Sequence, residues 1–314
     1  MTLTARCSLL LVLLLGACAP HPVAPPTATE SAAHPLSGQI WDVRARHRIT
    51  LQQLEQRLGR ARYALLGEVH DNPEHHRLRR ELIAALLRDG HRPAIVMEQF
   101  DRDHQAALLR AQREPAPTPE SLKIAGQLNE RGWHWPFYEP IIRIALDHRL
   151  PVSAANLSRA DAFRVSTAGA AAVLGPATVR DLRLDQPLPD VTRRRLEQII
   201  DEGHCRKAPP EILPGIVAAQ RARDALMAQA LQTHATAVLI AGNGHVRRDF
   251  GVPHYLAHYP QGDNVAVVGF LEVSSTRNMP GDYYHADSPE YDYIVFTRRN
   301  PRPDPCQDIR FKPR

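Results

Sequence analysis

Short apolar runs along this sequence alternate with longer segments in which apolar residues recur every three or four positions. A short apolar run is typical of a strand that is buried on both faces of a sheet. We predict six such strands, at residues 61–66, 93–97, 150–155, 235–241, 264–273 and 291–298. The wider spacing predicts helices between them, at residues 73–89, 101–112, 138–148, 160–168, 189–202, 210–231 and 252–258.

Strands that alternate with helices predict an α/β fold, with a central, mostly parallel sheet flanked by helices on both faces. The last two strands follow one another without a clear helix, which would allow them to pair antiparallel at one edge. In parallel sheets, ligands bind outside the carboxyl ends of the strands. We therefore expect the chemistry of this protein at that edge of the sheet.

Residues 1–17 have the features of a signal peptide, with Arg6 as their one charge and an apolar run over residues 9–15. The run is shorter than the roughly 18 residues that a membrane-spanning helix requires. The segment that ends at Cys18 resembles the lipobox of bacterial lipoproteins, which implies a lipid on that cysteine. An ordinary signal peptide with a chance cysteine is the alternative. An Asp after the cysteine tends to retain such lipoproteins at the inner membrane, and Ala19 stands there instead. We therefore expect an anchor in the outer membrane, on its periplasmic face.

Residues 18–35 are rich in Pro, Ala and Thr and are interpreted as a semi-rigid tether, which leaves residues 36–314 for a single α/β domain. The formal net charge is +5, and clusters of arginine at residues 77–80, 193–195 and 247–248 contribute to it. Because these clusters fall on separate segments, we interpret them as solvated helix faces. We expect no nucleic-acid partner, whereas an anionic ligand or lipid headgroup stays open.

The sequence contains four cysteines. Cys7 would leave with the signal peptide and Cys18 would carry the lipid, so Cys205 and Cys306 remain. An even pair in an oxidising compartment predicts a disulfide, which would tie the C-terminal tail to the middle of the domain. Two free buried thiols are the alternative.

Polar side chains follow the first four predicted strands directly. Glu68 and His70 follow the first strand, and the next three are followed by Glu98, Asn156 and His245 in turn. Because the carboxyl ends of parallel strands share one edge, we expect these five side chains to converge on one cleft. Two histidines with two carboxylates can bind a divalent transition metal or carry out acid–base chemistry. Their spacing matches no standard zinc motif, and single structural histidines are the alternative.

The helix before the fourth strand carries a polar face formed by Gln220, Arg223 and Asp224, which are three and four positions apart. This face leads towards His245, so the three side chains are candidates for orienting the residues of the cleft. The alternative is an Arg–Asp pair at the surface beside an apolar core position.

Two further features flank the predicted cleft. His75 and His76 lie early in the helix after Glu68, where a histidine is by default a surface residue. The aromatic segment at residues 133–138 could form a platform for a flat apolar ligand, or a lid packed on the core.

Several motifs resemble those of the ChaN-type lipoproteins. The motif LLGEVHDNPEHH at residues 65–76 and the Gly-Asn-Gly-His motif at residues 242–245 are the most specific, and the resemblance spans about residues 38–306. ChaN-type proteins belong to a superfamily of haem-uptake proteins that also contains the Tiki proteases, and erythromycin esterases are similar to it.

This resemblance implies an α/β fold, a role in haem or iron acquisition, and haem-dependent association of subunits. The sequence has two Gly-x-x-His frames, at residues 67–70 and 242–245. The Tiki proteases carry the same two frames and depend on a metal. The residues that would then form a metal-binding or catalytic set are Glu68, His70, Glu98 and His245. No motif selects a haem ligand, because tyrosine and histidine both serve as axial ligands. The candidates in the late loop are Tyr283, Tyr284 and His285.

Two hypotheses for the function follow. The first is a lipid-anchored lipoprotein that binds haem, associates as a haem-linked homodimer and passes haem or iron to an uptake machinery. The second is a metal-dependent hydrolase of the peptidase or esterase type, which would use the cleft with its paired Gly-x-x-His frames.

Overall fold

The structure, a computed structural model, describes residues 34–304 and 306–307. The predicted signal peptide, Cys18 and most of the predicted tether lie outside these residues. Within the described part of the chain, no helix is long and apolar enough to cross a membrane.

The sheet contains eight strands in the order β2-β1-β8-β7-β3-β6-β4-β5. The strands are β1 (Ile40–Asp42), β2 (His47–Ile49), β3 (Tyr63–Leu66), β4 (Ala94–Asp101), β5 (Val152–Asn156), β6 (Ala237–Ile240), β7 (Val265–Glu272) and β8 (Tyr293–Thr297). The six predicted strands are all present as β3 to β8, and all of their pairings with one another are parallel. The α/β fold with a mostly parallel sheet is thereby confirmed.

The antiparallel edge is also present, but different strands form it. β1 pairs antiparallel with both β2 and β8, whereas β7 and β8, the last two strands, pair parallel. The expectation that the last two strands pair antiparallel is wrong, because residues 273–292 between them are long enough for a crossover. β1 and β2 have three residues each and contain polar side chains, so they produce no apolar run.

Eleven α-helices flank the described sheet. They are α1 (Leu51–Arg60), α2 (Pro73–Arg88), α3 (Gln105–Gln112), α4 (Pro119–Ala125), α5 (Trp135–Asp147), α6 (Arg159–Ala168), α7 (Ala170–Leu174), α8 (Pro176–Asp181), α9 (Asp190–Gly203), α10 (Leu213–Gln232) and α11 (Val252–Leu256). Two 3-10 helices, Arg102–His104 and Pro280–Tyr283, complete the elements. α2 begins as its sequence predicts: Pro73 occupies the first turn, and the Asn72 side chain accepts from the backbone N–H of Glu74 at 2.9 Å.

Apolar side chains fill both faces of the sheet. Helices α1, α2 and α5 cover one face, with Leu54, Leu82 and Ile141 among their fully buried residues. Helices α6, α10 and α11 cover the other face. A smaller cluster, which includes Leu196 and Phe250, packs α9 beside α10. α9 is therefore held at the margin of the fold, next to the carboxyl ends of the strands.

The predicted disulfide between Cys205 and Cys306 is present, with their Cα atoms 5.6 Å apart. It joins the end of α9 to the C-terminal tail. Arg302 in the same tail forms ion pairs with Asp71 and Glu272, so the tail is fixed at two points.

Candidate functional site

Three neighbouring strands, β3, β6 and β4, bring Glu68, His245 and Glu98 to one edge of the sheet, as predicted. Nε2 of His245 lies 3.2 Å from Oε1 of Glu98, and the backbone N–H of Gly242 donates to Oε2 of Glu98 at 2.7 Å. His70 lies against the same glycine, because a Cβ at position 242 would be only 2.9 Å from its Cε1. This close approach requires glycine. We refer to these five residues and the space above them as the strand-end cleft.

Glu68 is buried, and both oxygens of its carboxylate contact neighbouring side chains. Its Oε1 accepts hydrogen bonds at 2.6 Å from the Tyr138 hydroxyl and at 2.6 Å from Nδ1 of His70, and its Oε2 forms an ion pair with Arg79. Burial alone would raise the pKa of Glu68, but Arg79 and then His70 outweigh burial and hold this pKa well below its usual range. Glu68 is therefore an anion at every physiological pH.

His76 and His75, expected at the surface by default, are both buried. Nδ1 of His76 accepts from Arg79 at 2.7 Å, and its Nε2 donates to the His70 carbonyl at 2.9 Å. Nδ1 of His75 accepts from the Val69 N–H at 2.9 Å. Burial and then the Arg79 charge lower the pKa of His75 to about 3 and that of His76 to about 4. Both histidines are therefore neutral, and they fix the loop that carries Glu68 and His70.

His245 lies between two buried carboxylates. Its Nδ1 is 2.5 Å from Oδ1 of Asp224 and 3.0 Å from the side-chain amide of Gln220, and its Nε2 faces Glu98. Burial opposes the charged ring, but Glu98 and Asp224 outweigh burial and raise the pKa of His245 to about 10. Burial raises the pKa of Asp224 to about 6, against the effect of His245. At neutral pH this group contains an imidazolium between two carboxylates.

His70 is the part of this network that solvent can reach, because 47% of its side chain is exposed. Trp133 packs edge-on against its ring, with the ring centroids 4.7 Å apart. Burial lowers the pKa of His70, but the hydrogen bond with Glu68 and the charge of Glu98 raise it above its ordinary value. A histidine whose Nδ1 is held by a carboxylate and whose ring opens to a cleft has the geometry of a general acid or base.

Two of the candidate side chains do not join the network. Asn156 is buried at the end of β5, beside Asp101 of the neighbouring strand, and its Oδ1 has no hydrogen-bond partner among the described residues. Arg223 acts on Asp101 instead of His245: burial raises the pKa of Asp101, and the charge of Arg223 partly opposes this effect. The Nε of Arg223 likewise has no hydrogen-bond partner within the described chain. Of the predicted helix face, only Gln220 and Asp224 orient His245.

Arg79 and Tyr138 are the members of the network that the sequence did not identify. The interpretation of residues 77–80 as a solvated helix face is wrong for Arg79, because this side chain is fully buried. The helical spacing could have predicted this burial, because Arg79 lies three positions after His76 and four before the apolar Ile83, on one face of α2. Tyr138 belongs to the aromatic segment at residues 133–138.

The cleft opens into a cavity of about 420 Å³. His70 and His245 lie on one side of this cavity. The opposite wall is apolar and comes from α9 and the residues after β6; it consists of Leu196, Ile199, Ile200 and Phe250. The cavity therefore suits a small ligand with an apolar part and a reactive polar part.

The structure does not support the predicted metal site. The described residues contain no group of three or more His, Cys, Asp or Glu side chains placed to hold a metal ion. The predicted ligands bond to one another or to nearby cations instead: Glu68 pairs with Arg79 and His70, and His245 bridges Glu98 and Asp224.

A second cavity, of about 650 Å³, lies on the other side of α9, and we refer to it as the arginine groove. Its cationic side chains are Arg194, Arg195, Arg247 and Arg277, and its acidic side chains are Glu202, Asp282 and Glu290. The late-loop candidates Tyr283, Tyr284 and His285 all line it. The groove thus combines positive charge with the three late-loop candidates for a haem ligand.

The three late-loop candidates differ in what they contact. The Tyr283 hydroxyl accepts from the Ser274 N–H at 2.8 Å and donates to the Arg277 carbonyl at 3.0 Å, so it is committed to the loop. Tyr284 is half-buried. His285 is exposed over 61% of its side chain, and its Nδ1 bonds to the buried Glu290.

Comparison with known proteins gives a family and a fold. The family described as haem-binding uptake, Tiki superfamily, ChaN matches residues 54–256. No curated protein matches the sequence. Among solved structures, cofacial haem-bound ChaN of Campylobacter jejuni is similar, with 20% identity and a TM-score of 0.60, over 82% of this chain and 95% of that chain.

Two more distant structures are also similar. The type III effector HopBA1 has 14% identity and a TM-score of 0.44, over 79% of this chain and 92% of that chain. An erythromycin esterase, EreC, in its open conformation has 13% identity and a TM-score of 0.38, over 71% of this chain and 73% of that chain.

Proposed function

Because the chain belongs to the ChaN family of haem-binding uptake proteins, we propose that it binds haem and takes part in haem or iron acquisition. The family match over residues 54–256 is the observation that carries this proposal. The haem-bound Campylobacter structure, which shares the fold, supports it.

The test is a titration of the purified full-length protein with hemin in detergent, followed by visible absorption. A saturable Soret band at a defined stoichiometry is expected. A spectrum no different from that of hemin in the same detergent without protein would contradict the proposal.

The lipid anchor on Cys18 and the outer-membrane location belong to the same proposal. Their support is the sequence of residues 1–19. Mass spectrometry of the protein purified from membranes should find an acylated N-terminal cysteine. Cys18→Ala should instead give an unacylated chain in the soluble fraction, and an unmodified Cys18 in the wild type would contradict the anchor.

A haem-linked homodimer and delivery to an uptake machinery complete the proposal. Size-exclusion chromatography with light scattering should show the full-length protein shifting from monomer to dimer as hemin is added. An unchanged mass at saturating hemin would remove the dimer from the account.

Hydrolysis is the second candidate function, and one observation favours it: the bonded pair of Glu68 and His70 opens onto the cavity of about 420 Å³. The metal-dependent form of this hypothesis is not carried forward. In the form that the residues allow, Nε2 of His70 takes a proton from water, and the water oxygen attacks an ester carbonyl. The ester C–O bond then breaks, and the proton passes to the leaving alcohol oxygen.

Turnover of apolar nitrophenyl esters by wild type and His70→Ala tests this function. A rate that rises with pH and is lost in the variant is expected. Equal rates in both proteins would exclude His70 as the base.

A further inference from the structure

We propose that the arginine groove is a membrane-docking surface, at which Arg194 and Arg277 pair with the phosphates of anionic phospholipids. This inference rests on the proposed lipid anchor on Cys18 and adds which face of the domain turns towards the bilayer. Three observations carry it: the place where the chain enters the domain, two cations without an ion-pair partner, and exposed apolar side chains beside them.

The described chain begins directly beside the groove. Nε2 of His34 donates to the backbone carbonyl of Arg277 at 3.1 Å, and its Nδ1 accepts from the Leu36 N–H at 3.2 Å. Leu36 is buried, so this entry point is fixed to the domain. Residues 18–33, between the proposed anchor and His34, span about 50 Å at most, at roughly 3.1 Å per residue. A tether of this length holds the domain near the bilayer, so that a weak surface attraction is enough to orient it.

Two guanidinium groups of the groove are available to an anionic partner. Arg195 and Arg247 both form ion pairs with Asp249, so their charges are balanced within the protein. Arg194 and Arg277 are exposed, and neither forms an ion pair within residues 34–304 and 306–307. Arginine pairs with phosphate through two parallel hydrogen bonds, which makes a phospholipid headgroup a suitable partner.

The backbone of Arg277 is fixed while its charge stays at the surface. Its carbonyl accepts from His34 and also from the Tyr283 hydroxyl, the latter at 3.0 Å. Its guanidinium lies over the Tyr283 ring, 5.6 Å from the ring centroid. A guanidinium held over an aromatic ring keeps the N–H groups at its edge free to donate to a phosphate.

Exposed apolar side chains lie beside these cations. Val191, at the start of α9, lines the groove and is 63% exposed. Met279 is 66% exposed and lies in the loop between Arg277 and Asp282, both of which line the groove. Apolar side chains next to cations are typical of surfaces that rest in the headgroup region of a bilayer.

The acidic side chains of the groove do not cancel this charge. Glu202 pairs with Arg206, and the buried Glu290 is bonded to His285. The carboxylate of Asp282 accepts from a backbone N–H of its own loop at 2.9 Å, and among the described residues it has no cationic partner. The groove therefore presents two unpaired cations against one unpaired anion.

The hairpin of β1 and β2 is the competing surface, because Arg44, Arg46 and Arg48 are exposed on it. Its turn follows Asp42, which pairs with Tyr293 at the start of β8, whereas the chain enters the domain near the other end of that strand. The tether would have to pass along the sheet to place the hairpin on the bilayer. The hairpin also contains none of the exposed large apolar side chains of the described chain. We therefore assign the docking to the groove.

Hydrogen–deuterium exchange of the full-length protein, purified from membranes and reconstituted in nanodiscs, tests the assignment. Nanodiscs of phosphatidylcholine are compared with nanodiscs of an equimolar mixture of phosphatidylcholine and phosphatidylglycerol, and exchange is followed at residues 275–285. Each guanidinium near an anionic surface strengthens binding about fivefold, so the ratio of docked to undocked protein should rise about 25-fold on the anionic lipid. Exchange should slow accordingly, and oxidation of the exposed Met279 by hydrogen peroxide should slow in parallel.

Two matched double variants separate the two surfaces. Arg194→Ala/Arg277→Ala should exchange on anionic lipid as the wild type does on phosphatidylcholine, and high salt should have the same effect on the wild type. Arg46→Ala/Arg48→Ala removes the same charge from the hairpin and should keep the protection. Far-ultraviolet circular dichroism checks that each variant is folded.

Equal exchange of the wild type on both lipids would overturn the bilayer as the occupant and leave the groove to a soluble anion or a protein. Protection that is lost in the hairpin variant and kept in the groove variant would overturn the assignment to the groove. Mass spectrometry of Cys18 reports on the anchor separately. If Cys18 is unmodified, exchange is measured with excess vesicles of the same two compositions: protection confined to the anionic vesicles supports the docking without the anchor, and its absence overturns both.

Discussion

The buried ion pair of Arg79 and Glu68 makes the sharpest stability prediction. Both side chains are fully buried, and the guanidinium is the main charge that opposes burial of the carboxylate. Arg79→Met keeps most of the side-chain volume but leaves Glu68 as a buried charge without its cation. Removing one partner of such a pair costs about 3–5 kcal/mol, which is a large share of the roughly 5–15 kcal/mol that stabilises a typical domain.

Urea unfolding at pH 7, followed by circular dichroism, measures this cost. The control is Arg77→Met on the same helix, because Arg77 and Glu81 form an exposed pair that is worth at most about 1 kcal/mol. The double variant Glu68→Gln/Arg79→Met should recover much of the loss, because no buried charge remains.

The cost should also depend on pH. In wild type the pKa of Glu68 lies below its usual value, so the ion pair stabilises the fold above the unfolded pKa of about 4.3 and this contribution is lost as pH falls. In the variant the buried carboxyl has a raised pKa and becomes neutral more readily. The difference between the two proteins should therefore narrow from pH 7 to about pH 4.5. A loss below about 1 kcal/mol, or a pH-independent loss, would refute the reasoning.

Three further predictions concern the cleft and the disulfide. Gly242→Ala should displace the His70 ring and alter its titration by nuclear magnetic resonance, whereas Gly244→Ala, with no atom within 4 Å of its new Cβ, should not; equal titrations would contradict the packing. Cys205→Ser should lower the free energy of unfolding by about 2–5 kcal/mol, and coincident urea midpoints would show that the crosslink contributes nothing. Because the folded pKa of His245 is raised to about 10, its charge stabilises the fold fully below about pH 6.5, and this stabilisation is lost as pH rises towards 10. His245→Gln should reduce the fall in melting temperature between about pH 6.5 and pH 10. An unchanged slope would exclude His245 as the group responsible for this fall.

The sequence predicted the parallel part of the fold and the convergence of Glu68, Glu98 and His245, because apolar runs and strand-end polar residues are local features. It did not predict β1 and β2, because β1 is defined by its pairing with β8, β2 is defined by its pairing with β1, and neither strand has a periodicity of its own. The parallel pairing of the last two strands was also not predictable from local patterns, because the crossover between them contains no long helix.

The composition of the site was predicted less completely than its location. The sequence predicts Arg79, His75 and His76 at the surface of an amphipathic helix, since arginine is rarely fully buried without a partner and histidine is only intermediate in burial. Their burial depends on Glu68, a carboxylate supplied by a different element. The prediction that Asn156 joins the cleft is wrong for a related reason. The register between β4 and β5 shifts between Met97 and Asp101, so that Asn156 lies opposite Asp101 at the ends of the two strands.

The most direct test of this account is a hemin titration of two full-length proteins side by side, wild type and His70→Ala. The proposed function predicts a saturable Soret band at a defined stoichiometry for the wild type. Loss of the band in a folded His70→Ala would place haem in the strand-end cleft. No saturable band in wild type would contradict the haem-binding function that is proposed from the family.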